Sequence, residues 1–403
     1  MKAIIPVAGK GTRLYPLGLT KPKAMLTVLN RPIIDWTLAA LEQNGIKQVA
    51  IVISPDEFGS QIKAHLSSNK SLTIEFYEQK EQLGTAHVIQ VAREAIPDGD
   101  EFIVIYGDDL YGPNNIKTLL EHKGPALLAQ EVSDPEKWGI FQIDENNNLI
   151  TVVEKPSTPI GNLANIGCVK LTSEIFDVFS KLTKSSRGEY ELTDSINLFT
   201  KLSRLKVIPK SDYWLPIGYP WHLLDATDYL APLITEQILG NINNLINHGK
   251  LILPLSSSIG VDSIMDRDTN LIIGDNTIIG DNNHFAGNVV IGNNTTMGPN
   301  NMIVNSIIGD NVKIASSSII RNSIIASNTI IKDRVSTIDH SLTNKTVLSN
   351  IKGNMVDTLR SNFGAVIGEN SLIKEGTIIE SGVKIWPNST TLISELIIKD
   401  HII

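Results

Sequence analysis

The chain has 403 residues, 42 % hydrophobic and 19 % charged, with a formal net charge of −8. That length exceeds one ordinary core and implies two or three domains, while the acidic balance argues against a general nucleic-acid binder. No apolar run approaches the roughly 18 residues of a membrane span, and the single cysteine, Cys168, excludes an intrachain disulfide and suits a reducing, cytoplasmic setting.

From Met1, which leads at once into apolar sequence with no charged leader, to about Leu239, short apolar runs alternate with helical patterns. Strands are expected over 3–7, 49–53, 73–77, 102–106 and 126–130. Helices are expected over 33–44 and 86–95, the first stopped by Asn44-Gly45. This alternation predicts an α/β, Rossmann-like domain over 1–239, a mainly parallel sheet with helices on both faces. Ligands of such sheets bind at the carboxyl ends of the strands. The first strand runs into Pro6-Val7-Ala8-Gly9-Lys10-Gly11-Thr12-Arg13, and Lys23 follows in Thr20-Lys21-Pro22-Lys23. Two glycines let backbone N–H groups approach a phosphate, and Arg13 and Lys23 add separate positive charges suited to a polyphosphate. After the fourth strand, Tyr106-Gly107-Asp108-Asp109 puts carboxylates at a strand's carboxyl end.

Helical spacing continues from Asp225 to about His248, with 240–250 as the connector. From 251 to 403 the pattern changes to hexads: Ile272-Ile273-Gly274-Asp275-Asn276, Ile278-Ile279-Gly280-Asp281-Asn282, Val290-Ile291-Gly292-Asn293-Asn294 and Ile307-Ile308-Gly309-Asp310-Asn311, resuming at Val366-Ile367-Gly368. One aliphatic residue per hexad would point into a triangular prism whose corners, at Gly and Asn, take positive φ. This is the signature of a left-handed parallel β-helix. The polar stretch 337–362 breaks the hexads and reads as a protruding loop.

G-x-G-T-R with T-K-P-K behind it resembles the signature of the sugar-1-phosphate nucleotidylyltransferases, and the resemblance runs through the first half. It implies a Mg²⁺ cofactor on Asp108, and a nucleoside triphosphate held by Ala8, Gly9, Gly11 and Thr12. Glu81-Gln82-Leu83-Gly84-Thr85-Ala86 is similar to the loop that reads the base in uridylyl and thymidylyl enzymes, so Gln79, Gln82, Gly84 and Thr85 are the base-edge candidates. Trp138-Gly139-Ile140, Val153-Glu154-Lys155-Pro156 and Asn165-Ile166-Gly167 resemble sugar-site elements: Glu154 and Asn165 for hydroxyls, Gly139 for room, Lys155 for the sugar phosphate. Tyr190-Glu191-Leu192-Thr193-Asp194 also fits the family pattern, with no evident chemical duty. The implied catalytic set is Arg13, Lys23 and Asp108, and the implied substrates are dTTP or UTP with glucose-1-phosphate.

Two departures stand out. The family has W-x-D-I/V-G, whose aspartate completes the metal site; here Trp214-Leu215-Pro216-Ile217-Gly218 places proline there. Asp225 or water then substitutes, or Asp108 and the nucleotide phosphates hold Mg²⁺ alone. The C-terminal half resembles the coil of archaeal bifunctional uridylyltransferase/acetyltransferases, yet Ser316 and Ile319 occupy the places of that motif's histidine and tyrosine. Asp333-Arg334-Val335-Ser336-Thr337 replaces its glycine-rich run. His284 and His340 match no motif and read as solvated loop histidines. The coil is therefore expected to be structural and to build a homo-oligomer, a trimer or higher. A bifunctional enzyme making UDP-N-acetylglucosamine and a non-catalytic nucleotide-sugar-binding subunit stand as alternatives.

Overall fold

The computed structural model describes residues 1–185, 188–235, 237–242, 245–247, 249–343 and 345–401. They form two compact units. One comprises Met1–Lys10, Pro22–Met25 and Pro32–Pro216; the other comprises Gly11–Lys21, Leu26–Arg31 and the chain from Ile217 onward.

The first unit is built on a nine-stranded mixed sheet. Lys2–Pro6 lies between Gln48–Ile53 and Glu101–Ile105, parallel to both, and Thr73–Glu78 continues the sheet beyond Gln48–Ile53. The three inner runs, Lys2–Pro6, Gln48–Ile53 and Glu101–Ile105, are mostly apolar because both sheet faces are covered there; Ile4, Ile5, Ile51, Val52, Ile103 and Val104 are fully buried, whereas the edge strand Thr73–Glu78 is half polar. On the other side the long strand Leu163–Thr172 runs antiparallel to Glu101–Ile105 and to Ala126–Glu131, and the hairpin of Gly139–Ile143 and Leu149–Glu154 adds to its far part. The expected strands and the helix Ile33–Gln43 are present within one or two residues. The expected helix 86–95 divides into Thr85–Val91 and a 3₁₀ turn, Arg93–Ala95. Helix Glu57–Leu66 starts where the Asp56 carboxylate accepts from the N–H groups of Phe58 and Gly59. Cys168 is buried in the central antiparallel strand, and burial pushes its thiol far above the ordinary range.

The second unit is a left-handed parallel β-helix with three sheets of short parallel strands. One sheet stacks Gln237–Ile238, Lys250–Leu253, Asn270–Ile273, Asn288–Ile291, Ile307–Ile308, Ile324–Ile325, Val366–Ile367 and Lys384–Ile385. The interior is filled mostly by aliphatic or Met residues, for example Ile279, Met297, Ile314 and Ile331, with Phe285 among them. The corners divide the work of Gly and Asn differently from expectation. Asn276, Asn282, Asn294 and Asn311 carry the positive φ, between 54° and 57°. Gly274, Gly280, Gly292 and Gly309 do not; they are required by space. A Cβ on Gly292 would lie 2.6 Å from the Gly309 carbonyl carbon and 2.7 Å from the Asp310 nitrogen of the next coil.

Three expectations are corrected here. Helix Trp221–Leu230 ends before Pro232, and Gln237–Ile238 and Asn241–Ile242 already pair with Lys250–Leu253 and Ser258–Ile259. The coil thus starts inside the segment read as helix and connector, because isoleucines four apart at 238, 242 and 246 mimic helical spacing; 243, 244 and 248 of that connector lie outside the described residues. Second, the compact units divide at Pro216/Ile217, and two N-terminal segments join the coil's unit: Leu17, Leu26 and Leu223 line one small pocket with Ile307 and Ile324 of the coil. Third, the insert after Thr337 is anchored as well as looped. Strand Ile324–Ile325 pairs directly with Val366–Ile367 across it, and within it Leu348–Ile351 and Asn354–Asp357 form an antiparallel hairpin whose Ser349 hydroxyl bonds the Gly382 carbonyl. Among the described residues no helix is long and apolar enough to cross a membrane.

Candidate active site

The Lys2–Pro6 strand delivers Val7, Ala8 and Gly9 to the edge of a cleft of about 220 Å³, lined also by Gln79, Gln82, Gly84, Thr85, Tyr106 and Asp108. A Cβ on Gly9 would meet nothing within 4 Å, so its glycine leaves the backbone approachable. Gly107 serves packing instead: a Cβ there would lie 2.5 Å from Ile5 Cγ2.

Lys23 lies beside two carboxylates, 2.9 Å from Asp108 Oδ2 and 3.1 Å from Asp109 Oδ1. Asp109 is further fixed by the Trp214 indole N–H at 3.3 Å; pairing of Trp214-Leu215 with Leu110-Tyr111 brings that tryptophan into reach. Asp108 faces the cleft. Burial pushes its carboxyl above the ordinary value, Lys23 pulls it back, and the Asp109 charge acts in the same direction as burial. Burial alone would depress the Lys23 ammonium, but Asp108 and Asp109 overcome it and hold it above its usual value.

On the side of the loop over 81–86, Gln82 Nε2 donates to the Ala8 carbonyl at 3.1 Å, and the buried Gln79 amide donates to the Gly84 carbonyl at 3.3 Å. Gly84 has φ +103°, and a Cβ would lie 2.5 Å from the Tyr190 carbonyl. Tyr190 N–H donates to Leu83 O, Ala86 N–H to Tyr190 O, and Leu192 N–H to the Thr85 hydroxyl. The Tyr190–Asp194 motif thus has a duty invisible in sequence: its main chain braces the loop over 81–86.

Gly139 and Glu154 face each other in the antiparallel register. A Cβ on Gly139 would be 3.0 Å from Glu154 Oε2 and 3.1 Å from Thr193 Cγ2. The Thr193 hydroxyl is buried without a hydrogen-bond partner, so a polar ligand group is the natural complement. Lys155 Nζ is 3.9 Å from Glu154 Oε1, and both line a cavity of about 500 Å³ with Glu191, Asp194 and Asn197. Asn165 Oδ1 accepts from the Gly167 N–H at 3.0 Å.

Gly11, Thr12, Arg13 and Asp225 belong to the other unit. Gly11 has φ 58°, and the Arg13 guanidinium lies 5.4 Å from the Tyr219 ring centre. The Asp225 carboxylate is ion-paired with Arg360. Asp109, Trp214, Tyr106 and Thr193 stand beside the candidate site without having been singled out in sequence, although each lies in a motif quoted there: Tyr106 and Asp109 beside Asp108, Trp214 before Pro216, and Thr193 in Tyr190–Asp194.

The nucleotidyl transferase family profile matches residues 2–231, and that of the bacterial transferase hexapeptide (six repeats) matches 270–305. The chain belongs to the nucleotidyl transferase family. Among relatives, the bifunctional sugar-1-phosphate nucleotidylyltransferase/acetyltransferase of Sulfurisphaera tokodaii is 38 % identical over 63 % of this chain and 62 % of its own length. The bifunctional protein GlmU of Methanococcus aeolicus is 33 % identical over 100 % of this chain and 97 % of its own. A Bacillus anthracis structure assigned as a glucose-1-phosphate thymidylyltransferase, crystallised with sucrose, matches 59 % of this chain and 98 % of its own with a TM-score of 0.52 and 27 % identity.

Pro216, where the resemblance led to the expectation of an aspartate, offers no metal donor in its side chain. Among the described residues no group of three or more His, Cys, Asp or Glu could hold a metal. The donor set at the cleft is the Asp108 carboxylate, with Asp109 committed to Lys23 and Trp214. One carboxylate suits Mg²⁺ only where substrate phosphates and water supply the remaining ligands. Two histidines of the coil have acidic partners: His284, in strand His284–Ala286 and not in a loop, is 2.7 Å from Asp266, and His340 is 3.3 Å from Asp339.

Proposed function

We propose that the protein transfers a nucleotidyl group from dTTP or UTP to a sugar-1-phosphate, glucose-1-phosphate first among them, releasing pyrophosphate. The carrying observation is Lys23 held against Asp108 at the cleft that Gly9, Gln82 and Thr85 also line. An oxygen of the sugar phosphate attacks the α-phosphorus, the bond to the bridging oxygen breaks, and pyrophosphate leaves with that electron pair. The attacking group is already anionic, so no general base is required, and catalysis is positioning plus charge neutralisation. Lys23 offsets charge between the reacting phosphates, and Arg13 meets the leaving β and γ phosphates. Gln79, Gln82, Gly84 and Thr85 frame the base, and Glu154, Asn165 and the unpaired Thr193 hydroxyl address the sugar hydroxyls. Mg²⁺, when bound, is held by Asp108 and phosphate oxygens and neutralises developing charge.

A second reading is supported by the relatives named as bifunctional over nearly the whole chain: a second activity in the coil, acetyl transfer to a hexosamine-1-phosphate. Against it, Ser316 and Ile319 stand at the positions of the expected histidine and tyrosine, and the Ser316 N–H is bonded to Asp333. Pyrophosphate release with Mg²⁺, over four nucleoside triphosphates against glucose-, N-acetylglucosamine-, glucosamine- and mannose-1-phosphate, tests the first reading. Consumption of acetyl-CoA with a hexosamine-1-phosphate would establish the second. Silence in both, with nucleotide binding intact, would leave a binding subunit.

A further inference from the structure

Every residue lining the cleft of about 220 Å³ belongs to the first unit, and so does His87 in helix Thr85–Val91. Gln79 lines that cleft yet is only 3 % exposed, and its main-chain N–H donates to Ile53 O at 2.9 Å. Its side-chain Nε2 lies 3.3 Å from the Gly84 carbonyl oxygen and 3.2 Å from His87 Nδ1. A carbonyl oxygen can only accept, so the nitrogen end of the amide must face Gly84. That carbonyl is itself held, because the Val88 N–H donates to it at 3.2 Å. The same nitrogen end then meets His87, whose Nδ1 must present its lone pair while the ring N–H sits on Nε2. With both amide hydrogens engaged behind the cleft wall, Gln79 Oε1 is the end left for a ligand. His87 does not line the cleft and reaches a ligand only through Gln79.

We propose that His87 is the positioning residue that fixes the Gln79 amide with its oxygen toward the base, so that the cleft selects uracil or thymine against cytosine. This rests on the reading that Gln79 meets the base. Uracil and thymine carry an N3–H that donates to an amide oxygen, whereas cytosine N3 carries a lone pair that opposes one. A buried polar group left unpaired by the wrong ligand discriminates far better than an apolar wall does. An amide free to turn over would offer its nitrogen to cytosine N3 and forfeit that selection. Gly84 and His87 together prevent the turn, since either alone supplies one hydrogen bond against it.

The test uses the full-length chain and compares UTP with CTP, both as calorimetric affinity and as kcat/KM for pyrophosphate release. The parent is expected to favour UTP. His87→Leu removes the acceptor and is expected to lower the UTP-to-CTP ratio by about fivefold, the scale of one neutral hydrogen bond, with the KM for the sugar phosphate unchanged. His87→Asn, whose side-chain oxygen can accept where Nδ1 does, is expected to hold the ratio within about twofold of the parent, which a merely structural histidine would not predict. In a Gln79→Ala background His87→Leu is expected to leave the ratio unmoved, the signature of one residue acting through the other. The imidazole ¹H–¹⁵N spectrum of the parent, assigned by the signal lost in His87→Asn, is expected to show the proton on Nε2, and this reading does not depend on His87→Leu folding. An unchanged ratio in His87→Leu, an equal loss without Gln79, a proton on Nδ1, or a parent that binds UTP and CTP alike would overturn the proposal. A parent chain that binds neither nucleotide and releases no pyrophosphate is a separate result, which removes the underlying reading and the proposal with it.

Discussion

Lys23 illustrates why a site residue cannot be weighed alone. It is 2.9 Å from Asp108 and 3.1 Å from Asp109, so removing its charge leaves two adjacent carboxylates uncompensated in a partly buried site. Lys23→Ala and Asp108→Ala are each expected to lower the rate of pyrophosphate release by about 10²–10³-fold, the usual loss for one transition-state electrostatic partner; turnover within a few-fold of the parent would refute the assignment. Thr193 makes the opposite case. Its hydroxyl is buried and unpaired, so Thr193→Val removes a desolvated group and should leave the melting temperature unchanged or raised. The same variant should raise the KM for the sugar phosphate by about three- to tenfold, the value of one neutral hydrogen bond.

At the scale of elements, helix Glu57–Leu66 is tied to helix Ile33–Gln43 through His65, whose Nε2 is 2.9 Å from Asp35 Oδ2. The hydrogen bond to Asp35 raises the imidazole above its ordinary value, against the effect of partial burial. A raised value means that the folded state binds the proton more tightly than the unfolded chain. The resulting stability is fully present below about pH 6.5 and is lost as pH rises through the folded value. His65→Gln should therefore cost more at pH 5.5 than at pH 9, by no more than about 1 kcal/mol because the pair is part-exposed. Denaturant titrations at the two pH values measure it, and equal costs would refute the linkage. Elements also show where pattern reading stops: Ile238, Ile242 and Ile246 satisfy helical spacing, yet the segment is strand because each coil needs a neighbouring coil to complete its backbone hydrogen bonds.

For the whole molecule, one face of the coil presents a paired column of outward residues, Ile264, His284, Met302, Ile319, Ser336, Ile378 and Leu396. Its isoleucines and leucine are between 36 % and 58 % exposed, whereas the outward residues Val290, Ile324 and Val366 of another face are buried within the unit. An apolar row left open on one face and covered on another suits self-association. Ile319→Arg is expected to shift the protein toward monomer in analytical ultracentrifugation with its far-ultraviolet dichroism unchanged; an unaltered mass would exclude that face.

Sequence alone determined the two grammars, because a doubly covered parallel sheet requires continuous apolar strands and a β-helix requires one inward aliphatic side chain per hexad. It also determined the open glycine turn at Gly9 and the acidic strand end at Asp108, since both depend on local residue type. Tertiary structure decided the rest. The Tyr190 brace and the Trp214 bond to Asp109 each join residues distant in sequence, and the Thr193 hydroxyl is buried by residues distant in sequence without gaining a partner; no local pattern encodes surroundings found only by folding. The division into compact units is of the same kind. Gly11–Lys21 follows the first strand in the chain yet packs with a coil that begins more than 200 residues later, because its apolar side chains are buried there and chain order carries no energy.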